Sequence, residues 1–215
     1  MAERWTKERR TEHTRQILLD AAQEVFARKG LNGAALEEIA DAAGFTRGAI
    51  YSQFGDKEKL FLAVVDRQRQ RFLDGFAEVM VSFHRLDDVD VDAFADRWSQ
   101  MSSGPDRAAL GYELTLFLLR NPDARERVAA KRLETIRALG EFISKNVARI
   151  GGVLTMEAET LARVVLAAND GITLDSLLDG QDLYRPYLQL VMSSIETPPE
   201  PSRDSASPPM RRPLP

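Results

Sequence analysis

Apolar positions along the chain recur at steps of three and four, the period of an amphipathic helix. Ile17, Leu18, Ala21, Ala22, Val25 and Phe26 make one stripe, on a helix expected from about Thr14 to Gly30. Arg28 and Lys29 close it, at the helix end where cations are favoured. Residues 1–12 have no such period beyond Trp5 and read as a flexible arm. Leu36, Ile39, Ala40 and Ala43 then form a short helix, Gly44 interrupts, and Ile50, Tyr51 and Phe54 resume on a second short helix opening at Thr46. That succession is a helix-turn-helix. A long helix opens at Lys57 and carries Leu60, Phe61, Val64, Val65, Gln68, Phe72, Phe76, Val79, Met80 and Phe83 without a proline.

The rest repeats the helical period. One helix is expected from Val91 to Met101 and a nearly all-apolar, central and buried one from Ala108 to Arg120. Another follows Asn121-Pro122-Asp123, one is capped by Thr155, and the last runs from Leu183 to Ile195. The fold class predicted is all-α: an arm and three-helix helix-turn-helix domain over residues 1–56, a helical domain over 57–196, and a Pro-rich tail over 197–215 that cannot bury enough to fold.

Within the helix-turn-helix each position has a physical role. Ala40 is small where two helices cross, and Gly44 stands where a helix must end in a left-handed residue. Phe45 plugs the turn, and Thr46 is expected to cap the second helix with its hydroxyl. With Ile50 and Phe54 inward, the outward face carries Thr46, Arg47, Ser52 and Gln53, with Tyr51 at its edge. A short helix fits the major groove, where Arg has the donor geometry for guanine and Gln for adenine. Gly55 and Asp56 stop this helix and cap the next, placing Lys57 for a phosphate. Helix pairs of this shape also occur in ordinary bundles, so spacing alone does not choose between the two readings.

The residues themselves go further. AGFTRGAIYSQFGDKEKLF, preceded by RQILLDAAQEVFARKG, resembles the N-terminal DNA-binding region of the tetracycline-repressor (TetR) family of bacterial transcriptional regulators, over roughly residues 14–62. The chain departs from the pattern at Ala34 and Ala35, where many members carry a Ser or Thr that caps the helix and touches phosphate. The resemblance implies a ligand-responsive regulator, expected to be a repressor, that binds palindromic double-stranded operator DNA as a homodimer. It also implies that the two last long helices pair across a two-fold axis, for which Ala167, Gly171 and Ser176 supply small residues. Packing within one chain gives the same pattern. Base contacts are expected from Arg47 and Gln53, mixed base and phosphate contacts from Thr46 and Tyr51, and phosphate contacts from Ser52 and Lys57.

By the same resemblance a small effector binds among the central helices. Its candidate contacts are Phe72, Phe76, Trp98, Met101, Tyr112, Glu113, Phe117, Asn169 and Asp170, and their character suits a hydrophobic or aromatic molecule. Burying a carboxylate is costly, so Glu113 and Asp170 are expected to have a partner, a ligand or a route to solvent, with Arg120 and Arg163 available as structural partners. Two other readings share the chain: a DNA-binding dimer without effector, governed by a protein partner or by abundance, and a helical enzyme using Glu113 and Asp170. The last has no nucleophile, metal set or phosphate loop behind it.

Composition changes little in this picture. Hydrophobic residues at 44% and charged residues at 29% are ordinary for a folded domain, and no apolar run spans a bilayer. With a polar N-terminus and no cysteine, the chain is expected in the cytoplasm. The net charge of -4 does not oppose DNA binding, which depends on local charge. Arg4, Lys7, Arg9, Arg10 and Arg15 outnumber Glu3, Glu8 and Glu12 near the start, while acid gathers at Asp87, Asp88, Asp90, Asp92 and Asp96. Those aspartates lack the Gly and terminal Glu of a calcium loop, and His13 and His84 have no ligand partner at helical spacing. No metal, cofactor or catalytic residue is expected.

Overall fold

The computed structural model describes residues 6–102 and 104–197. Arg4 and Trp5 of the arm, Ser103, and the Pro-rich stretch from 198 onward lie outside the described residues. Within them the chain forms α1 (Lys7–Gly33), α2 (Leu36–Ala43), α3 (Arg47–Phe54), α4 (Lys57–Ser82), a short 3-10 turn (Leu86–Asp88), α5 (Val91–Ser102), α6 (Pro105–Arg120) and α7 (Pro122–Arg149). A two-residue strand β1 (Val153–Leu154) precedes α8 (Ala158–Asp179), α9 (Tyr184–Met192) and a second strand, β2 (Ile195–Glu196).

Several boundaries differ from the periodicity. Helix α1 begins well before Thr14, because Thr6 caps it, accepting the Arg9 N–H at 3.2 Å. Lengthening a helix that is already nucleated adds a hydrogen bond per residue at no further nucleation cost, so Lys7 to Glu12, expected in a flexible arm, join it. At its other end Gly30, with φ 69°, breaks the helix as expected. Thr155 is not the cap of α8. Its N–H and hydroxyl both donate to the Ser194 carbonyl, at 2.9 and 3.1 Å, and Glu157 occupies the cap position. Those bonds belong to the antiparallel pairing of β1 with β2, Val153 opposite Glu196 and Leu154 opposite Ile195. The pairing draws the chain out of helix after Met192, which is why α9 is shorter than its apolar pattern.

Two hydrophobic cores divide the molecule. The first joins α1, α2, α3 and the first half of α4, with Leu18, Ile39, Ile50, Leu60 and Phe61 fully enclosed, and takes in Leu110, Phe117 and Ala124 from α6 and α7. Phe61 sits at its centre, edge-on to Phe26 at 5.3 Å and to Phe117 at 6.3 Å. The second core is aromatic: Phe72, Phe76, Phe94, Trp98, Tyr184 and Tyr187 pack with Ile136, Ile143 and Leu161. Helix α4 runs through both, giving Leu60, Phe61 and Val64 to the first and Phe72, Phe76 and Met80 to the second. Helix α6 is less buried than its composition suggests. Ala108, Leu110 and Phe117 face inward, whereas Leu119 is 66% exposed, because α6 lays only one of its faces on the first core.

Candidate nucleic-acid interface

The turn between α2 and α3 rests on Gly44, whose φ of 71° is the left-handed conformation. Space is not the constraint there, since a Cβ at Gly44 would meet nothing within 4 Å. The Phe45 N–H returns to the Ala40 carbonyl at 2.9 Å and closes the turn. Thr46 holds the cap position of α3 with extended backbone, but its hydroxyl accepts no cap bond. It stands beside Gly48 instead, 3.5 Å from where a Cβ would sit, so the expected side-chain cap is absent and the hydroxyl faces outward. Ala35 at the start of α2 likewise makes no side-chain cap, as its lack of a hydroxyl requires.

Helix α3 turns Ile50 and Phe54 into the core and leaves Thr46, Arg47, Tyr51 and Ser52 exposed. Arg47 is held from two sides. One nitrogen bridges to the Glu37 carboxylate on α2, and Nη2 donates to the Tyr51 hydroxyl at 2.9 Å, with the guanidinium 5.6 Å from the Tyr51 ring centre. The Tyr51 hydrogen bond and the Glu37 charge together push Arg47 above its ordinary pKa. Glu37 was not among the predicted site residues; its signal is its place on the exposed first turn of α2, opposite the start of α3.

Gln53 and Lys57 are placed differently. Gln53 is half-buried, and its backbone carbonyl accepts Arg15 Nη1 at 3.2 Å while the Arg15 guanidinium lies 4.4 Å over Phe54. Arg15, read only as part of a basic arm, thus ties α1 to the end of α3. Lys57 Nζ donates to the Ala34 and Asn32 carbonyls at 3.0 and 3.5 Å, binding the start of α4 to the α1–α2 joint.

The residues proposed for an effector do not form one site. Phe72, Phe76 and Trp98 are buried in the second core, and Asn169 accepts the Trp98 indole N–H at 2.9 Å. Phe76 and Trp98 line an apolar cavity of about 40 Å³ shared with Phe94, Ile143, Leu161 and Ile195. Met101 is half-buried beside that core. Phe117 belongs to the first core. Glu113 accepts the Leu31 N–H at 2.9 Å, so its partner is a backbone donor and not Arg120 or Arg163. Tyr112 donates its hydroxyl to the Asp170 carbonyl at 3.1 Å. Desolvation pushes the Asp170 carboxyl up, and the charges that oppose this are Arg132 and Arg107 instead of Arg120 or Arg163. A second, more polar cavity of about 150 Å³ lies between Asn32, Lys57, Glu113 and Arg120. Among the described residues no cluster of side chains is suited to a metal ion, and no helix is long and apolar enough to cross a membrane.

A helix-turn-helix head with an exposed polar reading face, carried on a helical body, is the architecture of a transcription regulator. Sequence comparison agrees: residues 18–64 match the family described as bacterial regulatory proteins, tetR family, and residues 89–195 match the tetracyclin repressor-like C-terminal domain. The chain belongs to the TetR family of bacterial transcriptional regulators. Over 73 residues it is 41% identical to the transcriptional repressor AcnR of Corynebacterium efficiens, a match that covers 32% of this chain and 39% of AcnR. GusR of Salmonella enterica has the same fold, with a TM-score of 0.65 and 22% identity over 89% of this chain and 97% of that one. The multidrug binding protein EbrR, solved with imidazole, is 26% identical with a TM-score of 0.57, over 89% of this chain and 95% of its own. These relatives and this fold are those of regulators and not of enzymes.

Proposed function

We propose that the chain acts as a homodimeric repressor that reads a palindromic operator through α3 and releases it when a small molecule binds the helical body. The observation that carries the reading is the outward face of α3, where Thr46, Arg47, Tyr51 and Ser52 stand exposed over a core that locks Ile50 and Phe54. Arg47 is the base-reading residue, with Gln53 next to it in the groove; Lys57 steadies the head at the edge of the phosphate backbone. Dimerisation uses α8 and α9, which present Leu178 (76% exposed), Leu190 (73% exposed), Leu177 and Val164 to the outside of a single chain. Apolar surface of this kind is characteristic of an interface.

The likeness to EbrR, a protein that binds drugs, supports a small-molecule effector. The apolar cavity of the body, at about 40 Å³, has room for little more than a water molecule. An effector therefore selects a more open body, and its preference for that form is what releases DNA. The same closed cavity favours the second reading, a dimer without effector. Retention of genomic fragments by the purified protein at two salt concentrations, followed by sequencing, tests the reading. A palindromic motif bound less tightly in high salt supports it, and sequence-independent retention at both salts removes it.

A further inference from the structure

Arg47 is the one charged side chain on α3, and it does not face outward alone. The Glu37 carboxylate, from the first turn of α2, pairs with it, and the Arg47 and Glu37 side chains are 50% and 58% exposed. The Tyr51 hydroxyl accepts the other terminal nitrogen of Arg47 at 2.9 Å, so three side chains from two helices make one outward cluster. Glu38, the next residue of α2, turns away and is held by Arg28 and Lys29 of α1 at 2.9 and 2.6 Å. Glu37 has no second cation of that kind: among the described residues its ion pair is with Arg47 alone.

The pair is neutral, so this cluster adds nothing to the sequence-independent attraction of phosphates, and the carboxylate in it is repelled by them. It is matched only where the DNA offers a donor. In the major groove a carboxylate accepts the N4 amino group of cytosine, whereas the O6, O4 and N7 acceptors of other bases repel it. Two side chains in ion-pair contact end about one base step apart, since successive base pairs rise about 3.4 Å. We propose that Glu37 is a second base reader: as Arg47 leaves it for a guanine, the freed carboxylate accepts the amino group of a cytosine in the adjacent base pair. This rests on the reading of α3 as the operator-binding helix. Glu37 then raises specificity chiefly by rejection, because at other steps its charge is stranded among acceptors and phosphates.

The test uses the full chain and an operator selected by it from genomic fragments. Affinity at one fixed salt is measured with each base pair varied in both half-sites, for the parent, Glu37→Ala, Glu37→Gln and Arg47→Ala. Beside the pair that Arg47→Ala no longer distinguishes, the parent is expected to prefer cytosine by about tenfold. Glu37→Ala should accept any base there, keep the guanine preference of Arg47, and hold random-sequence DNA more tightly. Glu37→Gln should move the preference to adenine, whose N6 and N7 suit the amide, a change that neither loss of a charge nor looser holding of Arg47 produces. Both Glu37 variants should melt close to the parent, because the side chain is exposed, so altered binding is not lost folding. A parental preference at that pair in Glu37→Ala overturns the proposal, and so does a loss confined to the guanine, which would make Glu37 only the holder of Arg47. In either case the operator reading stands. If the parent selects no motif, the operator reading falls and the second reader falls with it.

Discussion

The Glu113 carboxylate accepts the backbone N–H of Leu31 at 2.9 Å, joining α6 to the end of α1 across 82 residues of chain. It lies against Gly30, where a Cβ would come within 3.0 Å of Oε2, and Gly30 has the positive φ that leaves Leu31 N–H outside the helical ladder. Body and head are thus joined by a hydrogen bond as well as by α4. Glu113→Ala strands that donor, and a loss of about 1–3 kcal/mol in urea unfolding is expected. Glu113→Gln retains an acceptor and should lose less.

Trp98 and Asn169 form the corresponding pair inside the body. Asn169→Ala leaves the indole N–H unpaired in an aromatic core and opens a small void. The expected cost is about 2 kcal/mol, read as a lower melting temperature. Trp98→Phe in the same background should recover part of it, since the stranded donor is then gone.

Asp56 caps α4, accepting the Lys59 N–H at 2.7 Å and pairing with Lys59 Nζ at 3.0 Å. The backbone bond, with the lysine beside it, holds its carboxyl below the usual range. Its stabilisation is therefore complete above the unfolded-chain value of about 4 and fades as pH falls through the lower folded value. Asp56→Ala should cost about 1 kcal/mol near neutral pH and little in acid. Denaturation curves of both proteins across that range, converging at low pH, check the sign.

The exposed leucines of α8 and α9 predict a dimer in solution. Leu178→Glu with Leu190→Glu should give a monomer by sedimentation and, with one head per particle, much weaker binding to a two-half-site operator. A parent chain that sediments as a monomer would remove these helices from the interface.

The head was legible in the sequence because its turns depend on residue types that act locally. Gly44 is left-handed where a short apolar period stops, and Ile50 and Phe54 are buried as their spacing requires. What was not legible depends on partners distant in the chain. Glu113 is matched to a backbone N–H, which no residue type announces, and Arg15 to the Gln53 carbonyl. The Thr155 hydroxyl had two possible uses, and pairing with the chain's end took precedence over capping.

Arg47 is the residue on which the operator reading turns, and affinity for a selected operator and its single base-pair variants, at one fixed salt, tests it most directly. Exchanging the Glu37 ion pair for a guanine edge is cheap, because both partners are exposed. The parent chain should lose about tenfold or more when the contacted base pair is changed, and Arg47→Ala should bind the original site about tenfold more weakly and no longer distinguish that pair. Arg47→Ala with parental affinity and parental base preferences would contradict the account.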